Sequence, residues 1–344
     1  MNELIVVKGE EKAQNIRTKA VRGTILTLIG GISWGFSGAC GQYLFSVKGI
    51  DPHWVTVVRM LTAGLLLFCL VLFKYREQMV GLLSNKRDRR TLIVFSIFGL
   101  IACQYTYLLA ISHSNAGTAT VLQYLGPLLI MIFVCGMDRR LPTKTEGVAI
   151  ALAVTGTFLL ATHGNVSNLV ISTQGLFWGL MAALGLMLYT IIPGKIINKW
   201  GSIVVTGCGM LMGGSILLVV IRPWQIPVSL DWQVFWGMLA IIVIGTVVSF
   251  TLYLQGVSDI GPVKASMIAS VEPVSAALFS AFWLNTAFVW IDMVGFALII
   301  TTVILLTRQG SSRDSRHREQ QLHGMLKTVV STPYQLTICH QLLT

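Results

Sequence analysis

Two stretches of this chain repeat one another closely enough to fix its architecture. Residues 31–46 read GISWGFSGACGQYLFS and residues 175–190 read GLFWGLMAALGLMLYT. Gly31, Trp34, Gly35, Ala39, Gly41 and Leu44 thus recur as Gly175, Trp178, Gly179, Ala183, Gly185 and Leu188. A second set recurs at a slightly longer spacing. Tyr107, Leu108, Ser112, Ala119 and Pro127 match Tyr253, Leu254, Ser258, Ala265 and Pro273, and Glu146 matches Asp292. Each copy holds five apolar segments, near 24–46, 53–73, 92–112, 116–136 and 145–163, then 173–193, 202–221, 234–256, 264–284 and 289–307.

A helix of about 20 residues covers the ~30 Å hydrocarbon core of a bilayer. Lipid offers no partner to an unpaired backbone group, so each crossing must be helical. Five crossings per copy force the second copy to insert upside down, the plan of secondary transporters built from inverted repeats. The expected fold is therefore an all-α membrane protein of ten transmembrane helices in two inverted five-helix repeats.

Charge distribution sets the orientation. The chain is 54% apolar and only 11% charged, yet carries a net charge of +11. With the N-terminus inside, all Lys and Arg fall in cytoplasmic segments except Lys48, Arg222 and Arg59. This is the positive-inside pattern, which places both termini in the cytoplasm and explains the basicity without nucleic acid. The run Lys86, Arg87, Arg89 and Arg90 fits this topological role, with contact to anionic lipid heads as the alternative. The N-terminus lacks the apolar core and cleavage site of a signal peptide. Cys40, Cys69, Cys103, Cys135 and Cys208 lie in the apolar spans without metal-ligand spacing and read as small packing residues; Cys339 lies in the tail. No cofactor or metal is expected.

The chain divides into a cytoplasmic N-terminal segment (1–21), a first repeat (22–163), a second repeat (173–307) and a polar cytoplasmic tail (308–344). The longest linker, residues 74–90, carries six basic residues; its counterpart after helix 7 carries one.

Ionisable groups inside a bilayer are functional candidates because they are costly there. Glu272 falls near mid-membrane and directly precedes Pro273, whose ring frees backbone carbonyls. Such a place suits a cation, an ammonium group or a proton; a hydrogen-bonded packing role is the other reading. Arg59 lies about 9 Å into helix 2. It can meet a carboxylate or balance Glu272, or snorkel to the outer surface. The matched prolines Pro127 and Pro273 mark two interrupted helices, the best sequence pointer to a midplane site. Trp34 and Trp178 lie mid-span and must satisfy their indole N–H groups, either lining a cavity or packing. Gln42, Gln104, Tyr105, Tyr107, Gln123, Tyr124, Tyr253, Gln255 and Ser270 add uncharged polar edges, some of which can simply bridge helices. Repeated glycines allow close helix approach. No GxSxG, HExxH, P-loop or GxGxxG motif is present, so no catalytic residues are assigned.

Taken together, the paired five-helix units and the Trp-Gly pairs (Trp34-Gly35, Trp178-Gly179) carry a family resemblance. Arg59, the AxxxxLxYLGPLL stretch ending near Leu129, and VEPVSAALF from Val271 to Phe279 add to it. In order and spacing the chain resembles the EamA-type members of the drug/metabolite transporter superfamily over residues 22–307. That resemblance implies a ten-helix fold with a central cavity, alternating access, and export of amino acids, amphiphilic metabolites or toxic organic compounds across the bacterial cytoplasmic membrane. Family members carry an acidic residue after the fourth helix of each unit. Asp138 holds that place in the first repeat, but Asn285 replaces it in the second.

The expected function is gradient-driven transport of a small metabolite, with coupling protons and membrane lipids as further partners. A lipid flippase or scramblase, or a structural membrane protein on the same scaffold, is the alternative.

Overall fold

The computed structural model describes residues 2–305 except 138, 164–170, 261–264, 266–267 and 270, with backbone only at 2–17, 127, 134, 161 and 258. The tail, Asp138 and Ser270 lie outside the described residues. Among those described there is no strand.

The helices are α1 (Asn2–Ser46), α2 (Pro52–Lys74), α3 (Arg76–Ser84), α4 (Lys86–Ser112), α5 (Ala116–Gln123), α6 (Gly126–Met137) and α7 (Lys144–Thr162). There follow α8 (Thr173–Ile191), α9 (Gly194–Trp200), α10 (Ser202–Ile221), α11 (Trp232–Val257, continuing helical to Ile260), α12 (Val271–Leu284) and α13 (Trp290–Leu305). Among the described residues, seven stretches are long and apolar enough to cross a membrane; α12 and α13 are shorter apolar helices.

Polar residues at the helix starts show why the chain breaks where it does. Asp51 accepts from the His53 and Trp54 amides beside Pro52 at the first turn of α2. Asn85, Asn115, Ser172 and Asp231 cap α4, α5, α8 and α11 in the same way. Each oxygen satisfies amides that have no intrahelical partner. The repeated acids Glu146 and Asp292 belong to this set. Glu146 accepts from the Thr143 amide at 2.7 Å, completing a capping box, and is held by a bidentate Arg140. Asp292 accepts from the Val289 amide at 3.0 Å and pairs with His163 at 2.8 Å. Their recurrence is a helix-start signature. Asn285 ends α12 with φ of 51°, a left-handed stop that asparagine tolerates.

The helices pair reciprocally across the repeats. The first helix of the first copy, α1, rests on α11 and α12, and the first helix of the second copy, α8, rests on α4 and α5. Helix α2 packs on α10, and α7 meets α13 where Gly156 faces Ile299 and Thr302 donates to the Ala149 carbonyl. Glycine makes the closest of these contacts. A Cβ at Gly64 would lie 2.6 Å from the Leu211 amide nitrogen, and one at Gly214 would lie 2.7 Å from that of Leu61. Gly41, by contrast, has only ordinary contacts, the nearest at 3.6 Å.

The polar stretch before residue 22 is continuous with α1, and the linker 74–90 is largely helical. One expectation needs correcting. Cys69 is exposed, so it packs no core.

Candidate functional site

Two departures from regular helix shape the centre of the bundle. Phe95–Ile101 in α4 and Ala240–Val248 in α11 are π-helical, at equivalent places in the two repeats. In the first the Ala102 amide reaches back five residues to the Ile97 carbonyl, and in the second the Ser249 amide reaches Ile244. Such widened turns turn the next stretch of helix to a new face and recur at functional sites. Gly99 and Gly245 sit inside them, and a Cβ there would meet the Phe95 ring and the Ser37 side chain respectively.

Arg59 of α2 is buried, with 7% exposure, and its Nε donates to Thr246 Oγ1 of the second π turn at 3.2 Å. It therefore does not snorkel. It lies within electrostatic reach of Tyr107, Cys103 and Glu272, yet makes no direct ion pair with Glu272 among the described residues. Glu272, in the first turn of α12, takes a different partner. Tyr124 Oη lies 3.0 Å from Glu272 Oε2 and 2.9 Å from the Ala269 carbonyl, so one hydroxyl ties the break between α5 and α6 to the start of α12. A carboxylate and a guanidinium are thus held near one another by neutral partners, each able to receive a charged group. Isolated charges here cost about 3 kcal/mol apiece on insertion scales, so the arrangement needs a reason.

Gln104 sharpens the point. It follows Cys103 on α4, is 9% exposed, and neither its Nε2 nor its Oε1 has a hydrogen-bond partner among the described residues. Its mate in the second repeat is Phe250, whose ring packs edge-on to Trp34 at 5.3 Å. Trp34 also meets Tyr253 at 5.1 Å. Gln123 donates to Cys103 Sγ at 3.5 Å. Arg59, Cys103, Gln104, Gln123, Tyr124, Glu272 and the Trp34–Tyr253 pair thus fall around the two π turns.

The remaining candidates are positioned by their own helices. Tyr105 Oη meets His53 Nδ1 at 2.5 Å, beside the Asp51 cap. Trp178 stands in the second turn of α8, edge-on to Phe177 and against the larger apolar core, so it is not mid-span. Pro127 is the second residue of α6, just after the chain opens at Tyr124–Leu125, and Pro273 is buried in the first turn of α12.

Sequence reasoning named Tyr107 only as a polar edge and Cys103 only as a packing residue, and passed over Thr246 and Tyr189. Tyr107 Oη bonds Thr120 Oγ1 at 2.7 Å, and a Cβ on Gly38 would press to 2.9 Å from that oxygen. The Tyr189 ring lies 5.6 Å from Phe95 of the first π turn. One signal was available, since Gly99 and Gly245 recur at the same spacing as Tyr107 and Tyr253.

The family model described as the EamA-like transporter family matches residues 21–162 and 173–308. The uncharacterized inner membrane transporter YicL of Salmonella typhimurium is 37% identical over 297 residues, covering 86% of this chain and 97% of that one. The uncharacterized transporter YcbK of Bacillus subtilis is 23% identical, covering 84% and 93%. A solved crystal structure aligns with a TM-score of 0.56 at 15% identity over 83% of this chain and 98% of its own. That likeness is one of fold. With the long apolar helices, these matches define a multi-pass transporter of the cell membrane, which is not an enzyme. The chain belongs to the EamA-like transporter family.

Proposed function

We propose that the protein is a secondary transporter exporting a small metabolite, with ten transmembrane helices in two inverted five-helix repeats and both termini cytoplasmic. Residues 22–163 and 173–307 form the repeats. The single observation that carries the substrate site is the separated pair of charges, buried Arg59 and half-buried Glu272, with the unpartnered amide of Gln104 next in the chain to Cys103, which lies within electrostatic reach of both. A zwitterion such as an amino acid complements that set. Its carboxylate pairs with Arg59, its ammonium with Glu272, and Gln104 gains the hydrogen bonds it lacks. Charge-assisted bonds of this kind are roughly twice as strong as neutral ones. Trp34, Tyr253 and Gln123 supply the remaining wall, and Tyr124 holds the carboxylate in place. The reciprocal helix pairing supports alternating access, because tilting one repeat against the other exposes the same residues to either side.

The test is efflux of pooled, labelled amino acids from proteoliposomes, with and without an imposed pH gradient. Selective efflux is expected, with loss in Glu272→Ala. If Glu272 also carries a coupling proton, Glu272→Gln, which weakens the ammonium contact, leaves a residual efflux that no longer responds to the gradient. Full gradient-driven efflux by Glu272→Gln removes the proton role, and undiminished efflux by Glu272→Ala removes the site.

A further inference from the structure

A concavity lies away from this site, on the face formed by α2, α3 and α10. Its volume is about 640 Å³, and Phe68, Leu83, Cys208, Leu211, Ile216 and Val220 are among its walls. The wall is almost wholly apolar, with Ser215 the polar side chain on it. From Cys208 to Val220 the groove follows α10 for about 18 Å at 1.5 Å per residue. Its cytoplasmic part, Cys208 to Met212, lies within about 15 Å of the start of α10 at Ser202, the depth of one leaflet's hydrocarbon.

One end of the groove is strongly basic. Leu83 lines it, and the Arg89 guanidinium donates to the Leu83 carbonyl at 3.1 Å. Residues 74–90 also hold Lys74, Arg76, Lys86, Arg87 and Arg90, opposed by Glu77 and Asp88. Asp88 is already engaged, accepting from Lys199 at 2.7 Å and from the Trp200 indole at 2.9 Å. The mouth thus presents an excess of cationic groups beside an apolar channel of acyl-chain length.

We infer that this groove holds one anionic phospholipid, an acyl chain along α10 and the phosphate at Arg89 and its basic neighbours. A second copy of the chain fits less well. A two-fold contact through α2 and α10 brings the same basic linker of each subunit onto its mate. Zwitterionic lipid fills the groove equally but gains little from the cations, since attraction depends on net headgroup charge.

Native mass spectrometry of the full-length protein in detergent, titrated with dioleoyl phosphatidylglycerol or dioleoyl phosphatidylcholine, tests this. The expected result is one tightly retained phosphatidylglycerol, bound at least tenfold better than phosphatidylcholine and undisturbed by inorganic phosphate. Arg89→Gln should weaken it about fivefold, the share of one cation near the surface. Leu211→Trp and Met212→Trp, which fill the cytoplasmic part of the groove, should abolish it, whereas Val154→Trp on exposed α7 should leave it intact. Equal retention of the two lipids, displacement by inorganic phosphate, or retention unchanged in both groove-filling variants overturns the inference. So does a dimer joined by a Val219→Cys cross-link.

Discussion

Replacing Gln104 by leucine should make the protein more stable and nearly inactive. Gln104 is nine-tenths buried with both amide atoms unpartnered among the described residues, while its repeat mate Phe250 is apolar and well packed. Each buried polar group without a partner costs about 1–3 kcal/mol. Leucine is close in size, so little cavity or overpacking penalty offsets the gain. The net stabilisation is therefore about 2–4 kcal/mol. Transport should fall at least tenfold, because the substrate loses hydrogen bonds that only it supplies. Thermal unfolding of purified protein in a fixed detergent reads the first quantity, and initial efflux rates in proteoliposomes read the second. A less stable Gln104→Leu would mean the amide is already satisfied in the fold. Unchanged transport would mean it lies off the solute's path. Either result refutes the reasoning, and the combination of higher stability with lost transport is one that a purely structural glutamine does not give.

Gly64→Ala and Gly214→Ala should each destabilise by about 1–3 kcal/mol, since the added methyl meets backbone across the α2–α10 contact. Gly147→Ala, where no atom lies within 4 Å, should be neutral or gain up to about 1 kcal/mol; thermal unfolding compares all three. Gln42→Leu should cost about 2–4 kcal/mol by the same assay. Its Oε1 accepts from the Ala116 amide and Ser280, its Nε2 donates to Thr286, and leucine strands all three. Asp259 is held below the usual carboxylate range by its hydrogen bond from Arg22, at 2.8 Å. The stability it adds is present above about pH 4 and is lost as pH falls through its depressed value. The gap in melting temperature between wild type and Asp259→Asn should accordingly be present at pH 7, shrink in 1 M salt, and close under strongly acid conditions.

The two-copy architecture was legible because a repeat in sequence is a repeat in fold. Trp34, Tyr253 and Glu272 could be placed from their spacing and the apolar runs around them. Arg59 could not, because depth along a helix does not reveal which face a side chain takes. Its residence depends on Thr246, presented by a π turn that changes helical phase. The matching π turn of α4 lies just before Cys103 and carries Phe95, the ring that meets Tyr189. The partner of Tyr105 was hidden for a related reason: its neighbour in space is His53, set by the start of α2 rather than by anything near it in the chain. Trp178 kept its identity from the first repeat without keeping its surroundings, since α8 begins only five residues before it. Glu146 and Asp292 show the converse, a matched pair of acids whose shared duty is to start helices.

The central claim is that a small solute, not lipid, passes between the repeats. One proteoliposome preparation carrying a labelled amino-acid pool inside and a fluorescent phospholipid in one leaflet tests it most directly. The account predicts selective solute efflux with lipid left in place, and loss of that efflux in Gln104→Leu. Rapid lipid exchange with no solute movement would contradict it.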